Sequence, residues 1–290
     1  MPHTVIPFKR SFLKLLVLVS CCATTLIFLD RGNFSSSAND EESLDAGFSQ
    51  MYNLNFPAAH AVFENWKQLH PSDPLGPAAN AAAYLFGEFE RLHVLEIELF
   101  TDNDRLKKLK KPLPDPEIKA AFQSEIEKAH QMASEALTVS SEDTNALFAR
   151  VLCDGLRGNY AGLVEKNNGD ALDYLKSSRS AAEKLLDIDP AYYDAYLAIG
   201  IENYILGLRS APVRWFLKLS GAKTDKNEGL AKLHITAEKG HFMAPYARLL
   251  LAIVAIRDGD MKTARNLLAD LVRQFPQNNL YRIELARLQS

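Results

Sequence analysis

The chain has 290 residues, 47% of them hydrophobic, so it can bury a large core within one or two domains. Its 33 basic and 36 acidic residues leave a formal net charge of -3, which excludes a strong global attraction to nucleic acid or to an acidic polymer. Of its three cysteines only Cys153 lies outside the N-terminal apolar run. We therefore expect no internal disulfide in the body and no cysteine metal site.

Residues 1–30 have the pattern of a signal peptide or an N-terminal membrane anchor. Basic residues are followed by Leu15–Leu29, a stretch without a charged side chain. The basic flank predicts a cytoplasmic N-terminus and a body outside the cytoplasm, either held at the cell membrane (periplasmic) or exported. Residues 31–40, which include GNFSSSAN, are predicted to be a flexible linker.

Three fates of the N-terminal segment remain open at the level of sequence. It can be cleaved as a signal peptide, or it can be retained as an anchor. The third is lipidation at Cys21, because Leu18-Val19-Ser20-Cys21 resembles the bacterial lipobox. Apolar residues continue to Leu29, whereas lipoproteins usually turn polar after the cysteine.

Residues 41–290 are predicted to be helical throughout. Alanine and leucine are abundant, and apolar residues recur with helical spacing. The first helices are predicted to form a hairpin over 42–71. Further helices are predicted at 75–100, 117–139, 144–158, 170–186, 244–256, 261–275 and 280–288. One more is predicted to begin after Pro190, and another to end at Lys239. The lysine-rich and proline-rich stretch 101–116 is predicted to be a connection, with lysines that face solvent rather than lipid.

The clearest motif is the stretch Ala244–Pro276, in which two apolar runs are separated by a Gly-Asp turn and ended by a proline. Its spacing resembles the tetratricopeptide (TPR) repeat, a helix–turn–helix unit of 34 residues. The residues that carry the resemblance are Leu251, Ala252, Gly259, Asp260, Ala264, Leu268, Leu271 and Pro276. The first hairpin matches at Gly47, Ala59, Phe63 and Pro71, and the helix after Pro190 matches at Tyr196, Ile199 and Gly200.

The resemblance implies an all-α fold, a superhelical array of antiparallel helix pairs, with a concave face that holds an extended peptide or another protein. By the repeat's pattern, the side chains on that face would be Asp194, Leu197, Ile201, Tyr204, Tyr246, Leu249, Ile253 and Ile256. This set is mostly apolar. It lacks the Lys, Arg and Asn residues with which chaperone-binding repeats hold a C-terminal carboxylate.

No catalytic motif accompanies the repeats. There is no glycine-rich phosphate loop, no G-x-S-x-G, no H-E-x-x-H and no metal-ligand spacing among the seven histidines. We therefore expect a non-enzymatic protein-interaction module without cofactor or metal, on the outer face of the cytoplasmic membrane. Two alternatives stay open: an envelope-assembly lipoprotein or scaffold that acts through its outer surface, and an enzyme with a site between repeats. The partner, the pathway and the oligomeric state are not indicated.

Overall fold

The computed structural model describes residues 43–95, 113–207 and 225–289. All of them belong to one compact unit of the chain. Within the described ranges the regular structure is helical and no strand occurs. The predictions for residues 1–40 and Cys21 lie outside the described residues and stay predictions.

Eleven α-helices occur in the described part of the chain. They are α1 (Leu44–Tyr52), α2 (Phe56–Leu69), α3 (Leu75–Arg91), α4 (Pro116–Val139), α5 (Thr144–Asn159), α6 (Asn168–Ile188), α7 (Tyr196–Gly207), α8 (Lys226–Lys239), α9 (Ala244–Arg257), α10 (Met261–Gln274) and α11 (Asn279–Gln289). A π-helical turn, Tyr160–Val164, follows α5, and a 3₁₀ turn, Tyr193–Ala195, precedes α7.

Short polar side chains begin several of these helices. The carboxylate of Asp143 accepts a hydrogen bond from the Ala146 N–H at the start of α5. Asp225 and Asp260 accept from the first-turn N–H groups of α8 and α10 in the same way. Such caps satisfy N–H groups that have no partner inside the helix, and they therefore place the helix starts.

Each described helix packs against the next one in the chain, and α3 also packs against α5. The order is that of successive helix pairs, in which helices of neighbouring pairs stack on one another. The prediction of an all-α array of antiparallel helix pairs is confirmed. The hairpin from which the array was first predicted is α9–α10, with Gly259 in its turn at φ +80°. A positive φ favours glycine, so the turn sequence suits its conformation.

Two details differ from the predicted helices. Helix α3 ends at Arg91 rather than near Phe100, and His93 follows in a turn with φ +56°. No glycine or proline marks that stop, so the sequence pattern runs past it. Helix α5 continues into the π-helical turn instead of ending near Gly158.

The N-terminal helix α1 contacts the C-terminal pairs of the same unit. The Tyr52 hydroxyl donates to the Phe242 carbonyl at 2.9 Å, and the Asn278 amide donates to the Tyr52 carbonyl at 2.8 Å. The Phe48 and Phe242 rings stack with their centroids 4.8 Å apart. Helix α1 therefore contacts the connections that precede α9 and α11.

Helices α7 and α8 approach so closely that glycine is needed between them. A Cβ built on Gly229 would lie 2.6 Å from the Tyr204 nitrogen and 2.9 Å from the Gly200 carbonyl oxygen. Both are backbone atoms, so relieving the overlap requires the two helices to separate. By contrast, a Cβ on Gly155 in α5 would meet only the Ser178 Oγ, at 3.6 Å.

We expect Gly229→Ala to lower the free energy of unfolding by about 1–3 kcal/mol through this overlap. Gly155→Ala is the matched control, and it is expected to leave stability unchanged or to raise it by up to about 1 kcal/mol, because alanine favours the helix. Urea unfolding followed by circular dichroism measures both. Equal stabilities for the two variants would contradict the close approach of α7 and α8.

Candidate binding cavity

A cavity of about 780 Å³ is lined by every second helix from α3 to α9, namely α3, α5, α7 and α9. The π-helical turn and the start of α6 also contribute to the lining. Most of the lining side chains are apolar. The residues used below are Ile201, Tyr204, Ile205, Tyr246, Leu249, Ile253, Lys166 and Arg257. The cavity is therefore an apolar space between helix pairs, as expected for the inner face of the array.

Five of the eight residues predicted for the concave face line this cavity: Ile201, Tyr204, Tyr246, Leu249 and Ile253. Leu197 lies beside it, in a smaller cavity of about 60 Å³ that Ile201 and Tyr246 also line. Ile256 packs against the hydrophobic core and is not part of the lining of either cavity. The helix-face pattern thus brings most of the predicted residues together.

The Asp194 carboxylate is buried and is hydrogen-bonded to the backbone. It is 3% exposed, and its carboxylate accepts hydrogen bonds from the Phe242 N–H at 3.0 Å and the Met243 N–H at 3.1 Å. Burial raises the pKa of Asp194, and these N–H bonds only partly oppose that effect. The carboxylate joins the 3₁₀ turn before α7 to the start of α9, and both of its oxygens are engaged.

Side chains of α1 also lie at the inner face of the array. Phe48, Tyr52 and Phe86 occupy the inner face near α1, where Tyr52 lies 5.2 Å from the Phe275 ring, measured between centroids. These aromatic side chains take up part of the inner face beside α1. The 780 Å³ cavity lies on the same face and extends to the ends of α3 and α7.

Lys166 is a lining residue that the sequence pattern did not indicate. It follows the π-helical turn, is half-buried and has φ +57°. Burial lowers the pKa of its ammonium group, and no nearby carboxylate opposes the shift. The adjacent Glu165 binds the Lys119 Nζ at 2.9 Å instead. The loose stretch from Gly158 to Gly169 was the available signal, but it did not single out this side chain.

A second polar cluster lies between α4, α5 and α6. His130 Nε2 is 3.1 Å from one Asp154 oxygen, and the Ser177 hydroxyl donates to the other at 2.6 Å. Burial alone would raise the pKa of Asp154, but the bonds from His130 and Ser177 outweigh it and lower the pKa. Because the aspartate stands between the serine and the histidine, this histidine does not activate this serine as a base would.

The neighbouring Cys153 is buried, and burial raises the pKa of its thiol, which keeps it protonated and unreactive. Across residues 43–95, 113–207 and 225–289 no group of three or more His, Cys, Asp or Glu residues is placed to hold a metal ion. In the same ranges no helix has the length and apolar character needed to cross a membrane.

Comparison with known proteins adds one structural likeness. No known protein family and no curated protein sequence matches the chain. Among solved structures, it is similar to the crystal structure of a thermophilic TPR protein from Thermus thermophilus. The identity is 16%, the likeness covers 86% of this chain and 98% of that one, and the TM-score is 0.44. The helix-pair array itself follows from the contacts of this chain's own helices.

Proposed function

We propose that this chain is a non-enzymatic binding module that takes an apolar part of its partner into the cavity between α3, α5, α7 and α9. The supporting observation is the cavity of about 780 Å³, with its largely apolar lining. Its volume falls in the range of about 300–1,000 Å³ that is usual for ligand sites. A TPR-like fold suggests an interaction scaffold, because helix-pair arrays present large inner surfaces.

The contacts of α1 limit the kind of occupant that we expect at the inner face. An extended peptide lying along the whole concave face would have to displace the contacts that Tyr52 makes with Phe242 and Asn278. A shorter apolar group fits the cavity without disturbing them. The proposal therefore concerns the residues at the α7 and α9 side, chiefly Ile201, Tyr204 and Ile253.

The location of the module is proposed separately, from the sequence of residues 1–30. The basic residues before the apolar run Leu15–Leu29 support attachment to the outer face of the cytoplasmic membrane, or export. Lipidation at Cys21 remains one of the three fates of this segment. Binding in the cavity does not depend on which of them occurs.

The cavity is tested with N-phenyl-1-naphthylamine, a neutral fluorophore whose emission rises in apolar surroundings. Ile205 is suitable for substitution, because it lines the cavity and is still 38% exposed. We expect Ile205→Asp to weaken binding of the fluorophore at least tenfold, since a carboxylate in an apolar space is costly. Ile283→Asp is the matched control: Ile283 is 52% exposed on α11 and is not part of the cavity lining.

The measurement is a fluorescence titration of the full chain and of both variants. Background from the apolar N-terminal run is common to all three proteins, so only the difference between the variants is used. Circular dichroism shows whether the variants are folded. If Ile205→Asp binds the fluorophore as well as Ile283→Asp does, the cavity is not the binding site, and the outer-surface scaffold becomes the better hypothesis.

A further inference from the structure

The charges around the cavity are unequal. Its described lining contains two cationic side chains, Lys166 and Arg257, and no carboxylate. Positive charge at the edge of an apolar cavity favours an occupant that has an apolar body and a negative group.

Lys166 is the cation whose charge is least compensated. The nearest carboxylate along the chain, Glu165, is held by Lys119. Only burial contributes to the altered pKa of Lys166, so no carboxylate of the described residues stabilises its ammonium group. A half-buried cation without a counter-ion gains from an anion that arrives with the ligand.

The lining also disfavours a peptide backbone. Each peptide unit brings an N–H and a C=O group that need partners when they are buried. Among the lining side chains of α7 and α9, only Tyr204, Tyr246 and Arg257 carry polar groups. Ile201, Leu249 and Ile253 present only hydrocarbon. An alkyl chain has no polar group along its length, and it can fill this space without loss of hydrogen bonds.

From these observations we propose that the cavity binds a free long-chain fatty acid, whose alkyl chain lies along α7 and α9 and whose carboxylate pairs with Lys166. The proposal rests on the proposed function, and it names the chemical class of the occupant. A volume of about 780 Å³ suits a single acyl chain rather than a folded partner.

The test is displacement of N-phenyl-1-naphthylamine from the full chain by palmitate, below the concentration at which palmitate aggregates, and by hexadecan-1-ol. Lys166→Met is expected to weaken the binding of palmitate about tenfold and to leave the binding of hexadecan-1-ol unchanged. Only the acid loses a charge-assisted contact in this variant. Lys166→Arg keeps the positive charge and is expected to retain palmitate binding. Lys262→Met, at an exposed position on α10 that is not part of the cavity lining, is the matched control and should behave as the wild type.

The outcomes separate the two proposals. If the fluorophore binds in the cavity but palmitate does not displace it, the fatty-acid proposal is overturned while the binding module stands. Displacement by a short apolar peptide alone would point to a protein segment as the occupant, and would equally overturn the fatty-acid proposal. If Lys166→Met binds palmitate as tightly as the wild type, the pairing with Lys166 is wrong. Failure of the fluorophore to bind in the cavity removes both proposals.

Discussion

Phe63→Ala is expected to lower the free energy of unfolding by about 3–5 kcal/mol, the usual cost of removing a fully buried phenylalanine. The Phe63 side chain is 0% exposed. Its ring meets the Phe48 ring edge-on at 5.4 Å between centroids, so truncation leaves a cavity at the centre of the first hairpin. Leu69→Ala in the same helix is the control. Leu69 is 53% exposed, and a change within about 0.5 kcal/mol is expected for it.

Because of the same ring, the effect of Gly47→Ala on stability should depend on whether Phe63 is present. A Cβ on Gly47 would lie 2.2 Å from Phe63 Cε1, which is inside the ring's own volume. Gly47→Ala alone is expected to cost about 1–3 kcal/mol. In the Phe63→Ala background it is expected to be neutral or to gain up to about 1 kcal/mol, since space is open and alanine favours the helix. Equal costs in the two backgrounds, measured by urea unfolding, would contradict this packing.

Asp194→Ala is expected to lower the free energy of unfolding by about 3 kcal/mol. The change leaves the N–H groups of Phe242 and Met243 without the acceptor that they have in the folded chain, and each unsatisfied buried donor costs about 1–3 kcal/mol. Asp194→Asn keeps one acceptor oxygen and should fall between the wild type and the alanine variant. Asp187→Ala, at an exposed position near the end of α6, is the control and should change little.

The Asp194 carboxylate also makes the free energy of unfolding depend on pH. Burial raises the pKa of Asp194 in the folded chain, so the folded state binds this proton more tightly than the unfolded state does. Its stabilising contribution is therefore present below the unfolded pKa of about 3.9, and it is lost as pH rises through the higher folded pKa. Relative to Asp194→Asn, the wild type should lose stability across that window and then level off. A difference that grows in favour of the wild type as pH rises would contradict the buried position.

Helix positions and turns were largely accessible from the sequence because they depend on near neighbours. The α9–α10 hairpin is marked by Gly259 and Asp260, and the structure gives Gly259 a positive φ and Asp260 the cap of α10. The close packing of α1 and α2 follows from Gly47 and Phe63. The end of α3 was missed because the turn at His93 has no glycine or proline to announce it.

The residues that line the cavity could be predicted from the sequence only in part. Helical spacing placed Ile201, Tyr204 and Ile253 on a common inner face, and all three line it. The same spacing included Asp194, because periodicity gives the direction of a side chain and does not reveal a backbone partner far along the chain. Lys166 follows a π-helical turn, where helical counting no longer applies.

The contact between Tyr52 and the C-terminal pairs has a consequence for how the chain folds. In a simple repeat array each unit needs only its neighbours, so folding can begin anywhere and the ends fray independently. Here the Tyr52–Phe242 and Asn278–Tyr52 bonds join residues separated by 190 and 226 positions. The entropy of closing so long a loop must be overcome before these bonds form, which favours late formation and slower folding. Once they have formed, the two ends of the array are coupled, and neither hairpin can open without loss of the other's contacts.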